Sequence, residues 1–470
     1  MPAIAVLQEI VPNGLTYDID DRRTKSERGI PLEIGYRSKW DRSWQQKWYD
    51  RGKNGNSIFD QSRVWRYREA LNWLDIDTED PYQCASHLVS LDGLENVTVG
   101  PIHLFNAARY VGLNNEKTWF LMFGNNPSES FKDGGMVALV TQGKHLHVVR
   151  YICGSTGNSA ESLSQVTANE RALPPGVQYL ERPIIVVPRG RIAPGKLVGS
   201  IANRAKVIQV DGNFSDALVL VRMLADADAT IYEANSYKPF RIEGQKAEMI
   251  LTMETLGYQV PDWIVTPGGN YGSASAIHKA FTEMKESGWI DRLPRLAIVN
   301  AATANTLDAI YNQIRVRWNN GNVDRGKLDR FYRRLTDELE REKLLGNPRH
   351  TSMSAIDIPF PAEENLMKAL RALDEMDGVV IKVTDEEAWR AKDEIDSNGI
   401  GRVDLASAST VAGMKKLVSS GVIEPTQVVV GRLTGRDKDP EKSFEYYSGV
   451  NRPIQVSNDF EAFREAVYSK

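Results

Sequence analysis

The chain has 470 residues, 41% hydrophobic and 26% charged, enough for about two or three structural units and unlike a collagen or a largely disordered chain. Its 58 basic and 62 acidic side chains give a formal net charge of −4, which offers no electrostatic footprint for nucleic acid or an anionic membrane surface. Two cysteines, Cys84 and Cys153, are too few for a disulfide framework or a thiolate metal site.

No apolar run approaches the roughly 18 residues of a membrane span. The N-terminal MPAIAVLQEIVPNG lacks the basic stretch of a secretory signal, so a cytoplasmic protein with neither membrane nor nucleic acid as partner is expected. Residues 1–88 are rich in Trp, Tyr, Arg and Asp (GYRSKWDRSWQQKWYDRGKNGN) and read as an N-terminal extension that wraps the main body. A base-stacking platform would need positive charge that this segment lacks.

From about residue 116, short apolar runs alternate with helical spacing. WFLMF (119–123), HVVRYIC (147–153), PIIVVP (183–188), KVIQVDG (206–212), ATIYEA (229–234), DWIVTPGG (262–269), LAIVNA (296–301) and QVVVGRL (427–433) read as buried strands. FSDALVLVRMLADA (214–227), GQKAEMILTMETLG (244–257) and STVAGMKKLVSSG (409–421) read as helices. Such alternation predicts an α/β fold with parallel sheets covered on both faces. The charged span 318–350 suits a solvated amphipathic helix making an excursion from the sheet.

Polar or glycine-rich segments stand where strands hand over to helices, the place where α/β sheets bind ligands and helix N-termini offer free N–H groups. In NPSESFKDGGM (126–136), Lys132 opens a helix with Ser128 and Ser130 as candidate caps. The macrodipole disfavours a cation there. An imine with an aldehyde cofactor is one explanation, and an exposed surface lysine is the other. CGSTGNSAES (153–162) supplies Ser155, Thr156, Asn158 and Ser159 around Gly157, suited to a carboxylate or phosphate or to an ordinary N-cap loop. TPGGNYGSASA (266–276) has glycines for close approach to an anion but neither a Walker ending nor a dinucleotide register. NSYKPFR (235–241) groups Asn235, Ser236 and Arg241, and Thr434 lies just beyond a strand in VVVGRLTGRDKD. The six histidines show no ligand spacing, so no metal is expected.

Together these segments resemble the threonine synthases, of the tryptophan-synthase-β-like, fold type II group of pyridoxal-phosphate enzymes. The resemblance runs from VWRYREALNWL (64–74) to about residue 440 and is densest at SFKDGGM, STGNSAES, NSYKPFRIEGQK, PGGNYGSASA and LTGRDKDP. It implies two Rossmann-like open-sheet lobes with pyridoxal 5'-phosphate in the cleft: a large lobe of 89–136 and 235–470, and a small lobe of 137–234. It implies Lys132 as Schiff-base and proton-moving lysine, and Asn158 on the phenolic oxygen. Gly268, Gly269, Asn270, Tyr271 and Gly272 would cradle the cofactor phosphate, and Thr434 would face the pyridine nitrogen. Ser155 and Thr156 would hold the substrate carboxylate, and Ser159, Asn235, Ser236 and Arg241 the phosphate of O-phosphohomoserine. A homodimer and conversion of that phosphorylated amino acid to L-threonine are implied as well.

The sequence also departs from the family. A loop of the type SLGEGNTPL reads SLDGLENVTVGPIHL at 90–104, PSES replaces PTGS so that Glu129 adds a carboxylate, and Gly134 replaces an arginine. A lyase or replacement enzyme using another amino acid or nucleophile is the alternative, and a non-catalytic binding descendant the remaining one.

Overall fold

The computed structural model describes residues 4–54, 60, 62–74, 103–113, 115, 117–155, 157–171, 180–189, 197–211, 214–337 and 351–450. Strands β1 (Ala5–Glu9), β2 (Thr16–Tyr17) and β3 (Leu32–Tyr36) form an antiparallel sheet in the order β2-β1-β3, with Leu7 opposite Ile34. Strands β4 (His103–Asn106) and β5 (Trp119–Met122) belong to a second sheet. Strands β6 (Arg150–Gly154), β7 (Ile184–Pro188), β8 (Lys206–Val210) and β9 (Ile231–Glu233) form a third, all parallel, in the order β8-β7-β6-β9. Strands β10 (Trp263–Pro267), β11 (Arg295–Ala301), β12 (Val379–Val383) and β13 (Val429–Leu433) return to the second sheet, ordered β12-β11-β10-β13-β5-β4. Its pairs are parallel except the edge pair β4–β5.

The central strands are apolar without alternation because helices cover both faces: nearly every residue of β10, β11 and β13 is buried. β12 was not read from the sequence. It is a half-buried edge strand whose VVIKV is β-branched and apolar except at Lys382.

HVVRYIC begins pairing only at Arg150, because the helix Lys132–His145 runs close up to it and reverses at His147 (φ +56°), with Val148 N–H donating to Gly143 O at 2.8 Å. The helix expected at 244–257 starts at Pro239, whose fixed φ suits a first helical position, so Arg241 sits in its first turn. This helix crosses Lys132–His145 where two glycines meet. A Cβ at Gly244 would lie 2.2 Å from Gly134 O, so the glycine replacing the family's arginine sits at the point of closest approach.

The 318–350 span holds a helix, Arg325–Thr336, capped by Asp324, which accepts from Lys327 N at 2.8 Å. Its stripe Leu328, Phe331 and Leu335 is buried in the main core while Arg325, Lys327, Asp329, Arg330 and Arg333 stay exposed, the amphipathic pattern expected; residues 338–350 lie outside the described residues. The N-terminal extension packs its aromatics as expected. Trp40 and Trp48 contact Trp289 at 5.3 and 5.2 Å between ring centroids, and Leu7, Leu32 and Ile34 join the main core.

Candidate active site

The segment leading into Lys132 is stitched to the loop after β13. Phe131 N–H donates to Thr434 O at 2.9 Å, Arg436 N–H donates to Glu129 O at 2.8 Å, and Ser130 bridges Gly435. Thr434 is held in turn by Ser407: the N–H groups of Thr434 and Gly435 both donate to Ser407 Oγ, at 2.8 and 3.0 Å. Ser407 is fixed by Asp404, the N-cap of the helix Leu405–Ser419, which accepts from Ser407 N at 2.7 Å. The expected caps of the lysine helix are corrected. No side chain caps it at its N-cap residue, Phe131. Ser128 instead donates its backbone N–H to Asp133 Oδ2 at 2.9 Å, and Ser130 Oγ lies a long 3.4 Å from Lys132 N, because the two hydroxyls pair with each other at 3.0 Å.

Lys132 is half-buried, and its Nζ lies 4.1 Å from the centre of the Phe131 ring. Among the described residues it has no hydrogen-bond acceptor. Dehydration, with the nearby Arg241 and Arg432 guanidiniums, lowers its ammonium to about 7, against the pull of Glu248 and Asp404. Arg241 is fully buried; Nη1 donates to Ala234 O at 2.7 Å, while Nε and Nη2 have no partner among the described residues. Burial lowers this guanidinium to about 10 and pushes the Cys153 thiol up to about 12, so Cys153 is a buried filler, not a nucleophile.

The glycine loop follows β10. Gly268 N–H donates to Val299 O at 2.8 Å, and Asn300 Nδ2 donates to Gly268 O at 2.7 Å. A Cβ at Gly268 would meet Ile298 Cγ2 at 2.3 Å, so no side chain fits there. Tyr271 adopts φ +57°, with its hydroxyl accepting from Asn300 Nδ2 and Leu307 N at 3.3 Å each. The helix Gly272–Glu286 then begins without a side-chain cap, leaving its first N–H groups to serve an anion. Asn270 joins this loop to Ser236, donating to Ser236 Oγ at 2.8 Å while accepting from Ala362 N at 2.7 Å.

Asn235 is differently engaged. Its amide accepts from Gly154 N at 3.1 Å and donates to Gly154 O at 2.8 Å, clamping the end of β6. Ser155 Oγ accepts from Gly157 N at 3.4 Å, and Asn158 and Ser159 open the helix Asn158–Arg171, half-buried. Asn158 Nδ2 lies 3.4 Å from where a Cβ of Gly435 would be, which brings that helix start beside the Thr434 loop. Thr156 and residues 90–102 lie outside the described residues. Glu129, at φ +52°, is exposed and makes no ion pair or side-chain hydrogen bond among the described residues.

Sequence reasoning missed Ser407, Asn300, Glu248 and Arg432. The available signal was a charge inside a strand buried on both faces, Arg432 in VVVGRL, together with a Glu two turns after Arg241 on one helix face.

Among the described residues, an amine without a partner and held near neutrality, an uncapped helix start behind a glycine turn, and a buried guanidinium with two unpartnered nitrogens fit an aldehyde-bearing phosphate ester and an anionic substrate. Comparison with known proteins agrees. Residues 96–435 match the family model described as pyridoxal-phosphate dependent enzyme. The threonine synthase of Methanocaldococcus jannaschii is 33% identical over 463 residues, covering 98% of each chain. That of Methanosarcina acetivorans is 35% identical over 350 residues, 74% of this chain and 76% of its own. Among solved structures, threonine deaminase isoform 2 from Solanum lycopersicum superposes with a TM-score of 0.55 at 16% identity, over 79% of this chain and 90% of that one. An L-serine ammonia-lyase from Rhizomucor miehei does so with a TM-score of 0.54 at 14% identity, over 74% and 98%; these two speak for the two-lobed α/β fold alone. Motifs, fold and relatives converge, and the chain belongs to the threonine synthases of the pyridoxal-phosphate-dependent enzyme family.

Proposed function

We propose that the protein converts O-phospho-L-homoserine and water to L-threonine and phosphate, with pyridoxal 5'-phosphate held by the residues described above. The observation that carries the reading is the meeting of Lys132, near-neutral and without a partner among the described residues, with Arg241, buried and half-satisfied among them. The cofactor, when bound, supplies the electron sink that lets protons leave the substrate carbons. Lys132 bonds the cofactor and carries protons between those carbons, a task suited to an amine that titrates near working pH. Gly268, Gly269, Asn270, Tyr271 and Gly272 hold the cofactor phosphate, Asn158 its phenolic oxygen and Thr434 its ring nitrogen.

On the substrate side, Ser155 and Thr156 take the carboxylate. Ser159, Ser236 and Arg241 take the phosphate, and Asn235 keeps the end of β6 in register with them. Phosphate leaves the γ carbon, and water adds at the β carbon. A different substrate or nucleophile would draw on the altered 90–104 loop and on Glu129, an exposed carboxylate with no ion pair among the described residues. The reading includes an extension of 1–88, a large lobe of 89–136 and 235–470, and a small lobe of 137–234, with the helix Lys132–His145 running across their border. It includes a cytoplasmic homodimer, on composition and family resemblance.

The test is turnover of O-phosphohomoserine by protein supplied with pyridoxal phosphate. Phosphate and threonine should appear at equal rates and fall by on the order of a thousandfold or more in Lys132→Ala. Cofactor uptake without either product would reject this substrate.

A further inference from the structure

Glu248 and Arg432 form a buried ion pair beside the site for which the reaction above has no use. Arg432 is 1% exposed on β13, two residues before Thr434. Its guanidinium donates to Glu248 Oε2 and to Ser273 Oγ, in the first turn of the helix behind the glycine loop. It also packs over Phe123, 4.7 Å from the ring centre, and over Phe131 at 5.3 Å. Phe131 is also the ring against which the Lys132 Nζ rests, so two cations meet one aromatic ring. Glu248 comes from the helix that carries Arg241.

The pair is not built as a closed structural bridge. Glu248 Oε1 and Arg432 Nε are both buried without a hydrogen-bond partner among the described residues. Burial pushes the Glu248 carboxyl up to about 7 against the pull of Arg432, Lys132 and Arg63, with Asp133 adding to the rise. The groups acting on Lys132 are Arg241 and Arg432, which disfavour its charge, and Glu248 and Asp404, which favour it.

We propose that Glu248 and Arg432 are positioning residues for Lys132: the arginine fixes the Phe131 ring and the first turn of the glycine-loop helix, and the carboxylate offsets the cations crowded around the amine. The proposal rests on the reading of Lys132 as the cofactor lysine. A purely structural pair would hold the elements together without setting the charge of the amine. A positioning pair of opposite charges moves it in opposite directions when each member is neutralised.

The experiment uses the full-length protein freed of cofactor. Lys132 is trace-labelled with acetic anhydride across a pH series, and its peptide is quantified by mass spectrometry. Glu248→Gln, which keeps size and a hydrogen-bond acceptor, should lower the labelling midpoint by on the order of one pH unit. Arg432→Gln should raise it by a similar amount, and Arg432→Lys should restore the wild-type midpoint. Unchanged midpoints in folded Glu248→Gln and Arg432→Gln proteins, or shifts in the same direction, would overturn the proposal. If Arg432→Gln does not fold, the direction of the Glu248→Gln shift decides alone. The imine absorbance of Lys132→Ala supplied with pyridoxal phosphate is the separate control: an undiminished imine band would sink the reading of Lys132, whatever the midpoints show.

Discussion

The helix Pro239–Thr255 carries buried charges on two faces, and the two are wired in opposite ways. On one face, Arg241 and Glu248 border Lys132, and the cations there lack full counter-charge: the ammonium of Lys132 and the guanidinium of Arg241 are both held below their ordinary values by dehydration. On the other face, Glu243 and Lys246 enter a lattice under the N-terminal sheet. Lys246 pairs with Glu243 and with Glu283 Oε2 at 2.7 Å, and also donates to Ala70 O at 2.8 Å. Lys279 meets Glu283 and lies 3.6 Å from Glu243 Oε2, and these carboxylates, with Glu33, raise its ammonium above the ordinary range despite burial. Lys368 is the exception on this side, with Nζ unpartnered among the described residues and lowered by burial to about 8. Equal burial thus yields two outcomes. Paired charges lock the extension to the body, whereas under-paired cations are poised for an anion that arrives from solvent.

The largest effect expected from this contrast is in the lattice. Lys246→Met leaves Glu243 and Glu283 short of a cation and should cost about 3–5 kcal/mol in urea unfolding, with turnover per folded molecule kept. Lost turnover at unchanged stability would reverse the assignment of the two faces. Arg241→Met should behave oppositely. It removes a cation that lacks full pairing, so stability should hold or rise, while kcat/KM for O-phosphohomoserine should fall ~10–100-fold through lost charge-assisted bonds. A large loss of stability instead would make Arg241 a structural residue.

The pH dependence gives a smaller signal with a definite sign. Between about 7 and the ordinary 10.5, the unfolded chain binds a proton at Lys132 that the folded chain does not. Stability must therefore rise with pH across that window. In cofactor-free protein, the unfolding free energy of wild type relative to Lys132→Met should climb from pH 7 to 10; a flat difference would place the amine at its ordinary value. Smallest is Glu129→Gly. Relief of a left-handed φ is set against the extra freedom of an unfolded glycine, so the midpoint should move by less than about 1 kcal/mol. A large fall in turnover here would show that the exposed carboxylate matters to the reaction.

Much of the fold was legible because strand and helix periods differ and parallel strands are apolar throughout. WFLM, IIVVP and RLAIVNA pair as read, and the order of the motifs already named the family. The edge strand Val379–Val383 went unread although its VVIKV carries the β-branched signal of a strand. The start of the helix at Pro239 was hidden because NSYKPFR carries turn signals, and Ser128 looked like a cap because only geometry shows Asp133 taking its N–H.

Residue types and their spacing along the chain are set by sequence alone, and they single out the lysine, the glycine turn and Thr434 as candidates. Which charges meet across elements was decided by the tertiary structure. Arg432 and Glu248 are 184 residues apart and Lys246 and Glu283 are 37 apart, so their pairing depends on how β13 and two helices close on one another. The electrostatic character of Lys132 follows from that closure, because burial and long-range neighbours, and not local sequence, fix the free energy of a charge.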